Sequence, residues 1–224
     1  MKIKKYNKYL DPKKNKYFYP LLEKGLSDDD LNKGINVLKT GFITMNKETE
    51  KFEKEFSKAV KSKYSLMVNS GSSANLLAAF AACNPLRKKK FKIGDEALIP
   101  ALCWSTSLWP LVQTGLIPKF IDANPDTLNV NADEVIKKIT KKTKVIMLVN
   151  VLGISTDIKK ITNYAKKRNI IVIEDNCEAL GAKFQNKYLG TYGDFGTYSF
   201  FYSHQITCGE GGMIVCNNKD DYKI

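Results

Sequence analysis

Apolar residues recur at spacings of three and four through residues 48–60 (Phe52, Phe56, Ala59, Val60), which predicts an amphipathic helix. Beyond it the apolar positions fall into short runs. Strands are predicted at Tyr64-Ser65-Leu66-Met67-Val68 and over residues 96–99, 118–121, 145–149, 170–175, 196–201 and 211–216. Residues 76–82, 132–139 and 158–168 predict helices between them. Near-continuous apolar strands separated by helices imply an α/β fold, a buried and mostly parallel sheet with helices on both faces. No internal repeat or linker interrupts the pattern, so residues 41–224 read as one domain behind an N-terminal extension over residues 1–40. The last strand, Gly211 to Cys216, is followed only by Asn217 to Ile224, which suggests a domain truncated at its C-terminal end.

In such sheets ligands sit where the strands end and the next helices begin. The polar exceptions of this chain fall there. Asn69-Ser70-Gly71-Ser72-Ser73-Ala74, between a strand and a helix, offers backbone N–H groups, hydroxyls and a helix dipole to an anion such as a phosphate. A plain serine N-cap has the same pattern. Asp175 closes an all-apolar strand, where a carboxylate needs a partner: a protonated ring nitrogen or a backbone cap. Trp104 offers either a flat face to a ring or an ordinary core side chain.

Composition narrows the classes. The 224 residues are 43% hydrophobic and 11% aromatic, which fits a folded domain and not a disordered tail. No apolar run approaches the roughly 20 residues of a membrane helix, and the start, Met1-Lys2-Ile3-Lys4-Lys5, lacks the apolar core of a signal peptide. A cytoplasmic location without a membrane partner is expected. Cys83, Cys103, Cys177, Cys208 and Cys216 are odd in number and contain no C-x-x-C pair, so neither a disulfide framework nor a zinc site is indicated. The excess of Lys+Arg (36) over Asp+Glu (23) gives a net charge of +13, a field that attracts anions of any kind. Lys2 to Tyr19 interleaves lysine with aromatic residues, as a single-strand-binding arm or a solvated extension would. No helix-turn-helix, zinc-finger or RNP signature accompanies it, so no nucleic-acid partner is expected.

Five segments in this order, Asn69 to Ala74, Pro100-Ala101-Leu102-Cys103-Trp104, Glu174-Asp175-Asn176-Cys177-Glu178-Ala179-Leu180-Gly181-Ala182, Ser199-Phe200-Phe201 and Gly209-Glu210-Gly211-Gly212, resemble the DegT-type family over residues 35–224. Its members are fold-type I, vitamin-B6-dependent aminotransferases and dehydratases of nucleotide-linked sugars. The resemblance implies the α/β/α large domain of that fold, without the small C-terminal domain, and a homodimer at full length. It implies pyridoxal 5'-phosphate or pyridoxamine 5'-phosphate as cofactor. Gly71, Ser72 and Ser73 match the segment that holds the cofactor phosphate, with Ser199 as a further contact. Trp104 matches the aromatic residue stacked on the ring, Asp175 the carboxylate at the ring nitrogen, and Glu178 a side chain near the ring hydroxyl.

One departure decides the reaction class. Aminotransferases of this family read Ser-Phe-Phe-x-x-Lys before Gly-Glu-Gly-Gly, whereas this chain has His204, its single histidine, at the lysine position. A lysine amine forms an imine with the cofactor aldehyde and also moves protons. Imidazole, with a pKa of about 6.5, moves protons but forms no imine. The family's 3-dehydratases carry this histidine. The resemblance therefore implies removal of the C3 hydroxyl from a nucleotide-linked 4-keto-6-deoxyhexose, toward 3,6-dideoxyhexoses of surface polysaccharides such as lipopolysaccharide O-antigen. One branch uses glutamate and a GDP-sugar. The other uses a CDP-sugar and a reductase-fed iron–sulfur cluster, whose first cysteine matches Cys177 if further ligands lie beyond residue 224. Two alternatives stand beside this reading: an aminotransferase served by Lys183 or Lys187, and a non-catalytic remnant.

Overall fold

In the computed structural model residues 25–224 are described; the lysine- and aromatic-rich stretch from Lys2 to Tyr19 lies outside them. Two helices come first, α1 (Asp28–Lys39) and α2 (Lys47–Val60). Helix α1 carries a reciprocal cap, in which Ser27 and Asp30 bond each other's backbone N–H, and three aspartates in its first turn complement the helix dipole. It falls within residues that the sequence assigns to an extension. Its capping box was the readable signal. The remaining helices are α3 (Gly71–Cys83), α4 (Ser105–Gln113), α5 (Ala132–Lys138), α6 (Ile158–Lys167) and α7 (Lys219–Lys223).

The described residues form nine strands: β1 (Tyr64–Val68), β2 (Glu96–Pro100), β3 (Ile117–Ile121), β4 (Thr143–Val149), β5 (Ile171–Asp175), β6 (Lys183–Phe184), β7 (Lys187–Tyr188), β8 (Phe195–Ser199) and β9 (Gly212–Cys216). Seven form one sheet in the order β1-β9-β8-β5-β4-β2-β3, and β6 and β7 make a separate hairpin. Pairing is parallel from β8 through β3, while β9 runs antiparallel to both neighbours, β1 and β8. The predicted strands are all present with small shifts at their ends.

Successive residues of a strand point to opposite faces of a sheet, and the core divides accordingly. Ile99, Met147 and Ile173 join Ala78, Ala82 and Leu111 under α3 and α4. Their neighbours Leu98, Ile146 and Val172 join Val135, Ile158 and Ile161 under α5 and α6. A third cluster seats α2, where Phe56 meets Tyr198 edge-to-face at 5.0 Å and Phe52 meets Phe200 at 5.2 Å. Helix α4 is absent from the pattern reading because it opens on serine and threonine and holds Pro110, which forfeits a backbone bond. These two layers fix the four loops at the carboxyl ends of β1, β2, β5 and β8.

Candidate active site

The first loop is short. Val68 ends β1, and Ser70 already caps α3, its Oγ accepting the backbone N–H of Ser73 at 3.1 Å. Helix α3 therefore begins at Gly71, ahead of the predicted start at Leu76, and turns its first N–H groups outward. Gly71 is required by its neighbours: a Cβ there would lie 2.6 Å from Ser199 Cβ and 2.7 Å from Cys177 Sγ. Ser72 Oγ reaches Thr106 Oγ1 at 3.1 Å, tying this turn to the start of α4. Trp104 is the residue before α4 and stays 73% exposed, so its indole is not a core side chain.

Asp175 ends β5, 4% exposed. Its Oδ2 accepts from Asn75 Nδ2 and Ser107 Oγ, each at 2.7 Å, and its Oδ1 accepts the backbone N–H of Cys177 at 3.1 Å. Three donors compensate the desolvation of a buried carboxylate. The adjacent Glu174 faces the other way and is fully buried. Backbone N–H groups of Gly190, Tyr192 and Gly193 reach it at 2.6, 2.7 and 2.6 Å. Burial outweighs these donors and pushes the Glu174 carboxyl up to about 7.

Glu178 is exposed, and its Oε2 accepts the backbone N–H of Leu152 at 3.0 Å. Burial, together with the carboxylates of Asp175 and Glu178, holds the Cys177 thiol well above the usual cysteine range. At the end of β8, Ser199 is buried and its Oγ accepts the N–H of Phe201 at 3.2 Å. The chain then turns, with His204 N–H donating to Phe201 O at 3.0 Å, and the two rings lie 6.3 Å apart.

These loops enclose a cleft of about 570 Å³ lined by Gly71, Ser72, Trp104, Asp175, Cys177, Glu178, Ser199 and His204, among others. The candidate residues thus converge, with one exception. Ser73 does not line the cleft, because its hydroxyl accepts from Ser70 Oγ at 3.1 Å. No lysine lines it among the described residues. Lys183 and Lys187 sit on the hairpin, their ammonium groups 4.3 and 4.4 Å from the ring centroids of Tyr188 and Tyr192. No group of three or more metal-ligating side chains occurs among the described residues. No described helix is long and apolar enough to cross a membrane.

Sequence reasoning missed Asn75, Ser107 and Thr197. Asn75 shares the inner face of α3 with Ala78, Ala79 and Ala82, so a lone polar residue at that spacing was the available signal. Ser107 and Thr197 carried none.

The chain is similar in sequence and fold to proteins of known function. A protein of Yersinia pseudotuberculosis described as GDP-4-keto-6-deoxy-D-mannose 3-dehydratase is 41% identical over 206 residues, covering 92% of this chain and 52% of that protein. The structure of the E. coli GDP-4-keto-6-deoxy-D-mannose-3-dehydratase with bound hydrated PLP superposes with a TM-score of 0.87 at 42% identity, covering 92% of this chain and 53% of that one. A GDP-4-keto-6-deoxymannose-3-dehydratase with a trapped PLP-glutamate geminal diamine gives a TM-score of 0.86 at 41% identity, covering 91% of this chain and 53% of that one. This chain spans about half the length of the curated relatives it matches. Its fold is that of the fold-type I pyridoxal-phosphate enzymes. Residues 25–224, from the capped first helix to the last, match the DegT/DnrJ/EryC1/StrS aminotransferase family, and the chain belongs to that family.

Proposed function

We propose that this chain carries the cofactor site of a pyridoxamine-phosphate-dependent 3-dehydratase acting on a GDP-linked 4-keto-6-deoxyhexose, with glutamate as amino donor. The observation that carries the reading is His204 in a cleft shared with Asp175 and lined by no lysine among the described residues. The cleft residues fit the cofactor. At the start of α3 a glycine keeps backbone close to Ser199, the kind of concave N-terminus that receives a phosphate. Gly71, Ser72 and Ser199 would hold that group, with Ser73 acting through the helix turn it helps to cap. Trp104 would cover one ring face, and Glu178 would stand near the ring hydroxyl.

When bound, pyridoxamine phosphate supplies an amine for the sugar ketone and a ring that accepts electron density. Asp175 holds the ring nitrogen's proton through a charge-assisted hydrogen bond. His204 moves the proton at the cofactor's C4' carbon, a role open to an imidazole near neutral pH. The GDP-sugar and glutamate are preferred because similar chains act on that sugar and one carries a glutamate adduct. The aminotransferase alternative loses its support where Lys183 and Lys187 stack on tyrosine rings outside the cleft. A homodimer belongs to this reading. Leu76 and Phe80 of α3 and Trp109 and Val112 of α4 leave large apolar side chains exposed on adjacent helices.

The test is to load the protein with pyridoxal phosphate, reduce with borohydride and weigh the intact chain. Bound cofactor, seen by absorbance, with no covalent label on wild type is expected. His204→Lys should gain the label and lose glutamate-dependent dehydration of GDP-4-keto-6-deoxymannose. A labelled lysine in wild type, or unchanged dehydration by His204→Lys, overturns the reading.

A further inference from the structure

The carboxylate of Asp175 is held unequally. Asn75 Nδ2 and Ser107 Oγ both donate to Oδ2 at 2.7 Å, whereas the Cys177 N–H donates to Oδ1 at 3.1 Å and the weakly donating Cys177 thiol lies beside the carboxylate. Each carboxylate oxygen offers about two lone-pair sites. Oδ2 is therefore filled from within the fold, and Oδ1 keeps one site for a donor in the cleft that Asp175 lines.

The orientation of Asn75 is fixed from behind. Thr197 Oγ1 donates to Asn75 Oδ1 at 2.6 Å, which leaves the amide nitrogen to face Asp175. Thr197 stands directly opposite Asp175 in the pairing of β8 with β5. Asn75 and Thr197 are 1% and 0% exposed and do not line the cleft, so any effect they have on a ligand passes through Asp175. A buried amide on an otherwise alanine-lined helix face costs free energy unless its bonds are made.

We infer that Asn75, locked by Thr197, is a positioning residue that fixes which oxygen of Asp175 meets the cofactor's ring nitrogen, an inference that rests on the function proposed above. A terminal carboxylate torsion is broad by itself. The bonds to Oδ2 narrow it, and a single oriented acceptor holds the ring proton while charge moves into the ring. Asn75 and Thr197 touch neither the phosphate cradle nor His204. Their loss therefore acts on turnover and leaves cofactor and substrate binding in place.

The experiment loads the protein with ring-15N-labelled pyridoxamine phosphate and follows the ring nitrogen by NMR beside steady-state kinetics. Wild type should give a pyridinium shift. Asn75→Ala and the isosteric Thr197→Val should move it toward neutral pyridine. Their kcat should fall on the order of tenfold, with KM for the nucleotide sugar within about twofold of wild type. Thr197→Ser, which keeps the donor, should restore both. Should Asn75→Ala fail to fold, Thr197→Val carries the test. A wild-type ring shift in a folded Thr197→Val protein overturns the positioning role and leaves the proposed function standing. A neutral ring in wild type overturns the positioning role together with the role proposed for Asp175, whereas a wild-type protein that takes up no cofactor overturns the proposed function as a whole.

Discussion

Gly71, just after β1, and Ser199, at the end of β8, come together so closely that a Cβ on Gly71 would lie 2.6 Å from Ser199 Cβ. One residue opens α3 and the other closes β8, and neither has room to retreat. Gly71→Ala is expected to cost about 1–3 kcal/mol of stability by overpacking. It should also weaken cofactor binding at least tenfold, because the shift falls on the turn proposed to receive the cofactor phosphate. Urea unfolding without cofactor and an absorbance titration with it check the two parts separately.

Trp104 is 73% exposed beside the cleft and contributes no cap hydrogen bond to α4. Trp104→Ala should therefore leave unfolding free energy within about 0.5 kcal/mol of wild type. Loss of ring stacking should weaken the cofactor by about 0.5–1.5 kcal/mol. In a Trp109→Phe background, Trp104 is the remaining tryptophan, and cofactor binding should quench its fluorescence.

Glu174 predicts an inverse acid effect on stability. Its carboxyl stands at about 7 in the fold, above the ordinary 4.5, so the unfolded chain releases this proton first as pH rises. Its contribution is therefore present below pH 4.5 and declines through the window up to 7, by on the order of 3 kcal/mol. Lys187, Tyr192 and Tyr198 are the titratable groups coupled to it. Glu174→Gln should lose this slope. It should also be destabilised by about 1–3 kcal/mol at pH 8, since an amide NH₂ would oppose the Gly190 N–H. Urea unfolding at several pH values, as a difference from wild type, reads both.

Arg87 binds Asp221 through Nε at 2.6 Å and Nη2 at 2.9 Å, and its Nη2 also reaches Asp194 at 3.3 Å. Both Arg87 and Asp221 side chains are largely buried, at 6% and 7% exposure. Asp221→Ala leaves the buried Arg87 with only its longer contact to Asp194 and should cost about 3 kcal/mol. Lys33→Ala removes the exposed pair with Asp29 at 2.9 Å and should leave the denaturation midpoint essentially unchanged. Chemical denaturation of the two variants gives the contrast.

The strands were legible because buried parallel strands are uninterrupted in hydrophobicity, as Val145 to Val149 and Ile170 to Ile173 are. Asp175, Trp104, Ser199 and His204 were legible because each interrupts a pattern or matches a motif at a strand end. The first turn of α3 was hidden, since Gly71-Ser72-Ser73 has the composition of a loop and becomes helical through its cap and contacts. The hairpin of two-residue strands, Lys183–Phe184 and Lys187–Tyr188, carries too few residues for any period. Asn75 and Thr197 are conspicuous only once the fold sets them against Asp175, a relation between distant segments that no local spacing records.

Strand β9 lies between β1 and β8, and both pair with it. During synthesis, β1 and the glycine turn after it emerge early and have no sheet partner until almost the whole described chain has been made. Gly212 marks how closely the two segments meet, since a Cβ there would strike the carbonyl of Ser70. Long-range pairings of this kind close slowly, because the chain entropy of a large loop opposes them. The parallel strands β2 to β5 have their neighbours sooner and can consolidate first. The proposed phosphate turn is thus expected to take shape last, and a ribosome-bound chain lacking β9 would carry every cleft residue named above without the geometry that brings them together.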